Sequence, residues 1–347
     1  MRCLPERGPS RTGFDHVKPI SYVCARSVAE AAAAHGGRPE ARYLGGGTNL
    51  IDLMKLGVER PDILVDITRL PFDRIEEQPD GSVRVGATAR NSDLATHPVV
   101  LERYPVLAQA VLSGASGPLR NMATTAGNLL QRTRCGYFQD LSRPCNKRVP
   151  GSGCGALDGV NRDHAVFGHS PHCVATHPSD LAVALAALDA LVELAGPAGV
   201  RTVPVTDFHR LPRERPEQDT VLRPGELITG VLLPPVPKEA VSRYRKARDR
   251  ASDTYMLASV AAVVQVERGV VQHVAVAFGG LAHRPWRARQ TEAALLGTKP
   301  TPETVEQAVE AEMATAVPLR HNAYKVELAR GLAREVLGSL AVGRRRP

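Results

Sequence analysis

The chain has 347 residues, 43% of them hydrophobic, and a formal net charge of +8 at pH 7. This length is sufficient for two or three packed units, and because no apolar run approaches the length of a membrane span, we expect no membrane insertion. Aromatic residues make up only 4% of the chain and basic residues are scattered, so the charge favours a solvated face or a docking surface for an acidic partner over a nucleic-acid site.

Residues 1–15 match no motif and are interpreted as an N-terminal extension. No apolar run follows their charges, so no export signal is expected. We therefore expect a cytoplasmic protein. The alternative is export to the periplasm together with a partner subunit that carries a twin-arginine signal.

A small α/β subdomain is predicted over residues 16–70. Its strands are expected at 20–23, 43–44 and 63–67. Ser27 and Glu30 have the spacing of a capping box at the start of an alanine-rich helix. A second helix is expected from Asn49.

A glycine loop, Gly45-Gly46-Gly47, directly follows the second predicted strand. Three successive glycines remove every β-carbon, so the backbone can bend sharply and bring its N–H groups against a diphosphate. Thr48 and Asn49 then supply a hydroxyl and an amide that can bond phosphate oxygens or cap the next helix. A tight structural turn is the alternative.

A larger subdomain is predicted over residues 71–236, and it contains a second glycine-centred loop. Its strands and helices are expected at 83–86, 92–94, 99–113, 180–191, 191–194, 200–203 and 227–233. The loop itself runs Thr124-Thr125-Ala126-Gly127-Asn128. Two loops of matching chemistry predict a long dinucleotide held at its pyrophosphate from both sides.

Four of the six cysteines fall in a Gly-, Pro-, Asn- and Arg-rich insert at residues 132–176, with the spacing C-x9-C-x8-C-x18-C. On this spacing alone a disulfide pair, a zinc site and an iron–sulfur cluster all stay open. A metal centre is favoured, because a long irregular segment buries too little apolar surface to offset its ordering entropy. His172, next to Cys173, is the rival ligand.

Prolines 234, 235 and 237 mark a boundary with a C-terminal domain at residues 237–347. Strands are predicted at 259–267 and 271–279, joined by an Arg268-Gly269 turn, and helices at 287–296, 301–313 and 322–337. The pattern predicts an α+β unit with an antiparallel sheet. No general-base constellation is visible, so no catalytic residue is predicted.

Together these motifs resemble the FAD-binding subunit of the molybdenum hydroxylases, the family of xanthine dehydrogenases and aldehyde oxidoreductases. The resemblance rests on residues 41–55, 120–128, 244–252 and 322–329. In the insert, residues 144–154 are similar to those of the FAD/[4Fe-4S] subunits of periplasmic aldehyde oxidoreductases and of 4-hydroxybenzoyl-CoA reductases. One departure is Thr125-Ala126-Gly127, where many relatives carry two successive glycines.

The resemblance implies an α+β fold, with a two-subdomain FAD-binding domain of the vanillyl-alcohol-oxidase and xanthine-dehydrogenase type before a CO dehydrogenase-type flavoprotein domain. It implies FAD and a [4Fe-4S] cluster, the latter ligated by Cys135, Cys145, Cys154 and Cys173. The residues implied for FAD are Arg42, Tyr43, Leu44, Gly45, Gly46, Gly47, Thr48, Asn49, Leu50, Thr124, Thr125, Gly127, Asn128, Asp180, Glu226 and Lys246.

Two of these residues carry an implied role and an alternative. Asp180 would bond the sugar or ribityl hydroxyls of FAD, and a helix N-cap is its alternative. Lys246 would stabilise the negative charge of reduced FAD, and an exposed surface charge is its alternative.

The implied function is electron transfer within a heterotrimer or its dimer. A large molybdenum-cofactor subunit and a small [2Fe-2S] subunit would deliver electrons to FAD, which would release them to an external acceptor. The alternatives are the flavin subunit of a 4-hydroxybenzoyl-CoA reductase-like or other molybdenum hydroxylase, a free-standing flavin enzyme, and a zinc-bearing nucleic-acid module.

Overall fold

The computed structural model describes residues 19–251 and 254–342. The extension predicted at residues 1–15, Ser252 of the third motif and the end of the chain beyond residue 342 lie outside this range. Within it, no helix combines the length and the apolar character that crossing a bilayer requires.

The N-terminal subdomain is a three-stranded parallel sheet with the order β1-β3-β2. Its elements are β1 (Ser21–Cys24), α1 (Val28–His35), β2 (Ala41–Leu44), α2 (Leu50–Lys55) and β3 (Ile63–Asp66). Ser27 caps α1, since its Oγ accepts the N–H of Glu30 at 3.1 Å. The Glu30 carboxylate accepts from the N–H of Arg26 at 2.9 Å, one residue earlier than the predicted capping box requires.

The larger subdomain is a five-stranded antiparallel sheet with the order β4-β5-β8-β6-β7. The strands are β4 (Ile75–Glu77), β5 (Val83–Gly86), β6 (Leu191–Gly196), β7 (Gly199–Pro204) and β8 (Leu227–Leu233). The helices are α3 (Asn91–Thr96), α4 (Pro98–Arg103), α5 (Pro105–Ser113), α6 (Gly117–Met122), α7 (Thr125–Leu129), α8 (Gly136–Gln139), α9 (Gly155–Asp158), α10 (Asp180–Ala187) and α11 (Val205–Phe208).

Two helices of this subdomain differ from the prediction. The single helix expected at 99–113 is interrupted at Tyr104, whose φ is −131°, because Pro105 disfavours a helical conformation in the residue before it. The helix expected to continue to Leu191 ends at Ala187, and Asp189 adopts a positive φ of 50°.

The C-terminal domain is a four-stranded antiparallel sheet with the order β12-β11-β10-β9. Its elements are β9 (Val241–Ala247), β10 (Ala258–Glu267), β11 (Val270–Gly279), β12 (Trp286–Arg287), α12 (Arg289–Leu295), α13 (Pro302–Met313) and α14 (Tyr324–Leu337), followed by a π-helical turn at Gly338–Val342. The predicted turn at Arg268-Gly269 is present, with positive φ at both residues, as a tight hairpin requires.

Successive residues of β10 are buried on opposite faces of this sheet. Ala261 and Val263 belong to the core shared with α5 and α10, whereas Val260 and Ala262 belong to the core formed with α13 and α14. Because side chains alternate along a strand, the apolar run of β10 contributes side chains to both cores. The C-terminal domain is thereby packed directly on the larger subdomain.

The cysteine insert is largely irregular, and its far end is anchored on the C-terminal domain. The N–H groups of Val166 and Phe167 both donate to the carbonyl of Leu281, at 2.8 and 3.0 Å. The Phe167 ring stacks on that of Trp286 with a centroid separation of 4.9 Å.

Lys325 of α14 also holds this part of the insert, through hydrogen bonds to backbone carbonyls. Its side chain is fully buried, and its Nζ donates to the carbonyls of Asp163, His164 and Gly280 at 3.1, 3.0 and 2.6 Å. Burial lowers the pKa of this amine to about 7. The three carbonyls satisfy the donors of the ammonium and draw the insert onto the helix.

We predict that Lys325→Met lowers the free energy of unfolding by about 2 kcal/mol, because buried carbonyls lose their donor. Chemical denaturation of the full-length chain measures the effect. The control is Lys299→Met, at an exposed lysine, which should leave the midpoint unchanged. Equal midpoints for the two variants would contradict the anchoring role.

Candidate functional site

The two glycine-centred loops are in direct contact. A β-carbon at Gly46 would lie 1.9 Å from the carbonyl oxygen of Met122, and one at Gly45 would lie 2.9 Å from Oγ1 of Thr124. Gly47 has a φ of 75°, in the region that favours glycine. The sequence analysis predicts that the missing β-carbons make room for a diphosphate. At Gly46, however, the carbonyl group of Met122 occupies the space that a side chain would need.

The second loop is a capped turn of helix. Thr124 is the N-cap of α7, and its Oγ1 accepts the N–H of Gly127 at 3.2 Å. The hydroxyl of Thr125 is buried and donates to the carbonyl of Ala89 at 3.1 Å. The side chain of Thr125 is therefore used inside the protein, and this residue lines neither cavity.

Both loops line a cleft of ≈ 1130 Å³ between the two subdomains. The predicted FAD residues on its wall are Arg42, Tyr43, Leu44, Gly45, Gly46, Gly47, Thr48, Asn49, Leu50, Thr124, Gly127 and Glu226. A neighbouring cavity of ≈ 140 Å³ is lined by Asn128, Asp180 and Lys246, and it shares Thr48, Asn49 and Gly127 with the cleft. Two cavities that meet at the glycine loops suit a ligand with two ends and a diphosphate between them.

Asn49 provides an unpaired donor where the cavities meet. Its Oδ1 accepts the N–H of Arg132 at 2.9 Å, while its Nδ2 is buried without a partner. Because an unsatisfied buried donor costs about 1–3 kcal/mol, this amide fits a ligand with acceptor oxygens. The site therefore matches the chemistry of a dinucleotide phosphate.

Asp180 and Lys246 form a buried ion pair in the smaller cavity. The Lys246 Nζ lies 2.9 Å from Oδ2 of Asp180, and its side chain is only 3% exposed. The hydroxyl of Tyr244 donates to the other carboxylate oxygen. Burial raises the pKa of Asp180, whereas Lys246 and Tyr244 act in the opposite direction.

Both alternatives considered for this pair are wrong. The N-cap of α10 is Ser179, whose Oγ accepts the N–H of Ala182 at 3.0 Å, and not Asp180. Lys246 is buried in β9 rather than exposed as a surface charge.

Three predicted residues shape the cleft wall through bonds within the protein. Both carboxylate oxygens of Glu226 bond the guanidinium of Arg201, at 2.8 and 2.7 Å. The Tyr43 hydroxyl donates to the Gly225 carbonyl at 2.8 Å, and burial raises its pKa to about 12. Arg42 pairs with Glu59 at 2.9 Å.

A charged network that sequence reasoning missed closes the other side of the cleft. Arg132 pairs with Glu59 and with Asp219, each at 2.6 Å, and Lys147 forms an ion pair with the same Asp219. These residues come from three separate parts of the chain, so no local pattern announces them.

The four insert cysteines are free thiols. The backbones of Cys145 and Cys154 pair in an isolated antiparallel β-bridge, and no disulfide joins them. Burial raises the pKa of Cys135 to about 12 and that of Cys173 to about 11, and in each case the neighbouring Cys145 adds to the rise. Cys145 is thus a neighbour of the other three.

Across the described residues, no three His, Cys, Asp or Glu side chains have the spacing of a single-ion site. Because Zn–S bonds are about 2.3 Å long, tetrahedral zinc needs its sulfurs within about 4 Å of one another. A polynuclear iron–sulfur cluster holds its ligands farther apart, and thiolates are its usual donors. The four thiols are of the donor type that such a cluster uses.

The histidine predicted as the rival ligand is the wrong one. His172 is 42% exposed and its Nε2 lies 3.4 Å from a carboxylate oxygen of Glu214. It is His164 whose Nε2 lies 3.2 Å from the Cys135 sulfur, and burial lowers the pKa of His164 to about 4. Proximity along the chain favoured His172, but the fold turns His164 inward.

Two family models match most of the chain. Residues 17–236 match the FAD binding domain in molybdopterin dehydrogenase, and residues 242–340 match the CO dehydrogenase flavoprotein C-terminal domain. The first model alone covers more than half of the chain.

Known proteins are similar to this chain over most of its length. The aldehyde oxidoreductase FAD-binding subunit PaoB of Escherichia coli (strain K12) is 48% identical, covering 92% of this chain and 98% of the relative. The glyceraldehyde dehydrogenase medium chain of Sulfolobus acidocaldarius is 29% identical, covering 81% and 82%. Carbon monoxide dehydrogenase from Hydrogenophaga pseudoflava, in a form lacking the Mo-pyranopterin moiety, superposes with a TM-score of 0.74 at 27% identity over 93% and 97%. The predicted fold class and family resemblance are confirmed.

We predict that Gly46→Ala forces the two loops apart, lowers stability by about 2 kcal/mol through overpacking and reduces the FAD bound after purification. Flavin absorbance per chain and thermal unfolding measure both effects. Gly331→Ala is the control, because this glycine lies within α14 with nothing within 4 Å of an added β-carbon. Full flavin content in Gly46→Ala would contradict the loop contact.

Proposed function

The chain belongs to the FAD-binding subunits of the molybdenum hydroxylases, and on that premise we propose that it is the flavin subunit of an aldehyde oxidoreductase. As a medium subunit of a multi-subunit complex, it would take electrons from partners that carry molybdenum and [2Fe-2S] centres. It would pass them through FAD to an external acceptor. The high similarity to an aldehyde oxidoreductase subunit supports an aldehyde as the substrate of the complex, ahead of the 4-hydroxybenzoyl-CoA alternative.

The contact between the two glycine loops at the junction of two cavities is the observation that carries this proposal. The loop backbone at Gly45–Gly47 and Gly127, with Thr48 and the free amide of Asn49, would hold the diphosphate. Asn128, Asp180 and Lys246 would border the other end of the ligand. When bound, FAD supplies acceptance and release of two electrons.

The residues around the smaller cavity position charge rather than transfer protons. Lys246 is held by Asp180 and by the carbonyl of Ser113, at 2.9 and 3.2 Å. Its ammonium is therefore fixed, and the carboxylate that fixes it also neutralises it. A fixed and compensated ion pair gives this end of the site a constant field with little reorganisation.

We also propose that Cys135, Cys145, Cys154 and Cys173 hold a [4Fe-4S] cluster. The support is the presence of four free thiols in one insert, two of them at paired backbone positions, together with the resemblance of the insert. Ligation requires thiolates, and the pKa of two of these thiols is raised. Metal binding would therefore release protons and weaken as pH falls.

The purified complex tests the proposed function. We expect large and small partner subunits to copurify, FAD at one per chain, and aldehyde oxidation that depends on the partners. Recovery of a colourless chain that contains zinc and no flavin would refute the proposal. Aldehyde oxidation by this chain alone would favour a free-standing flavin enzyme instead.

For the cluster, we predict that Cys145→Ser loses most of the iron of the subunit, since Cys145 neighbours the other three thiols. Iron analysis and the visible absorption of the purified chain give the result. Cys24→Ser, in β1 outside the insert, is the matched control and should keep its iron. Unchanged iron in all four insert substitutions would overturn the assignment.

A further inference from the structure

We propose that Asp219 is a positioning residue that holds the cysteine insert against the dinucleotide cleft, so that order in the insert sets the affinity for FAD. This inference rests on the proposed FAD site and does not require the insert to contain metal. Asp219 was not among the predicted site residues, and its carboxylate has no role in the binding scheme above.

Asp219 sits on a loop that is itself fixed to the larger subdomain. The loop joins α11 to β8, and its backbone bonds tie Arg210 to Asp219 at 2.9 Å and Val221 to Phe208 at 3.0 Å. The Asp219 side chain is 32% exposed, and it lines the cleft. The carboxylate is therefore held at the wall of the cavity by a braced loop.

Asp219 reaches two positions of the insert at once. One carboxylate oxygen lies 2.6 Å from Nε of Arg132, the first residue of the insert. The other pairs with Lys147, two residues after Cys145, whose side chain is 3% exposed and also donates to the Pro216 carbonyl at 2.7 Å. Burial would raise the pKa of Asp219, but Lys147 and Arg132 hold it well below its usual range.

Arg132 carries this contact to the first glycine loop. Its backbone N–H donates to Oδ1 of Asn49 at 2.9 Å, the residue whose amide Nδ2 is left free for a ligand. Its guanidinium also pairs with Glu59 of the small subdomain at 2.6 Å and lies 4.8 Å from the centre of the Phe138 ring. One residue thus contacts the loop through its backbone, and the small subdomain and the insert through its side chain.

Removing the charge of Asp219 leaves Lys147 buried without its ionic partner and Arg132 with one partner fewer. A buried cation without a partner is costly, so the insert should move until Lys147 reaches solvent. That movement shifts the backbone at Arg132 and hence the amide of Asn49. Coupling between two sites is reciprocal, so FAD should in turn order the insert.

The test uses the full-length chain freed of FAD and titrated with FAD, with flavin fluorescence as the readout. Asp219→Asn should weaken binding about tenfold, within the usual range for coupled sites. Glu193→Gln is the matched control, because Glu193 pairs with Arg84 at 2.7 Å in the sheet and lines neither cavity; it should bind FAD like the unchanged chain. Should Asp219→Asn fail to fold, Lys147→Met breaks the same link between Asp219 and the insert without leaving a buried cation, and it should also weaken FAD binding.

Hydrogen–deuterium exchange of residues 140–157, with and without FAD, separates coupling from simple destabilisation. FAD should slow exchange there in the unchanged chain and in Glu193→Gln, and should have little effect in Asp219→Asn. If FAD binds to the unchanged chain but does not alter deuterium exchange in the insert, the coupling is refuted and the FAD site is not. A chain that binds no FAD would instead refute the proposed function and the coupling with it.

Discussion

The close approach of the first glycine loop to the backbone before the second loop is the constraint on which the rest of the site depends. The carbonyl of Met122 occupies the space that a side chain at residue 46 would need. Since one loop belongs to the parallel sheet and the other to the antiparallel subdomain, this contact fixes the two subdomains relative to each other. The cleft lies beside this contact, and the hydrogen bond from Tyr43 to Gly225 joins the same two subdomains at another point of its wall.

Features that depend on local chemistry could be predicted from the sequence. Ser27 is an N-cap, the Arg268-Gly269 turn joins two long strands, and the first glycine loop lies between β2 and α2. Each of these follows from a few neighbouring residues whose backbone preferences are strong. The resemblance to a family added Asp180 and Lys246, which lie 2.9 Å apart although 66 residues separate them in the chain.

Features that depend on which distant side chains meet could not be predicted in this way. The three pairings of Arg132 and Lys147 with Glu59 and Asp219 follow from the fold and not from any period. Thr125 and Thr124 are adjacent and chemically identical, yet only Thr124 lines the cleft, because the N-cap geometry of α7 turns their hydroxyls in different directions. His164 and His172 show the same limit: a residue next to a cysteine in sequence need not be next to its sulfur.

The insert is held by buried ion pairs, although apolar contacts would avoid the desolvation cost of buried charges. A long irregular segment offers few regular backbone hydrogen bonds, so its position must be fixed by contacts at particular points. Val166, Phe167 and Lys325 fix its far end through backbone carbonyls and ring stacking, whereas Arg132 and Lys147 fix the near end through Asp219. A buried ion pair adds little net stability but tolerates only one arrangement of its partners. Ion pairs beside the cleft therefore favour one position of the insert relative to the glycine loop. A patch of aliphatic side chains would not do so.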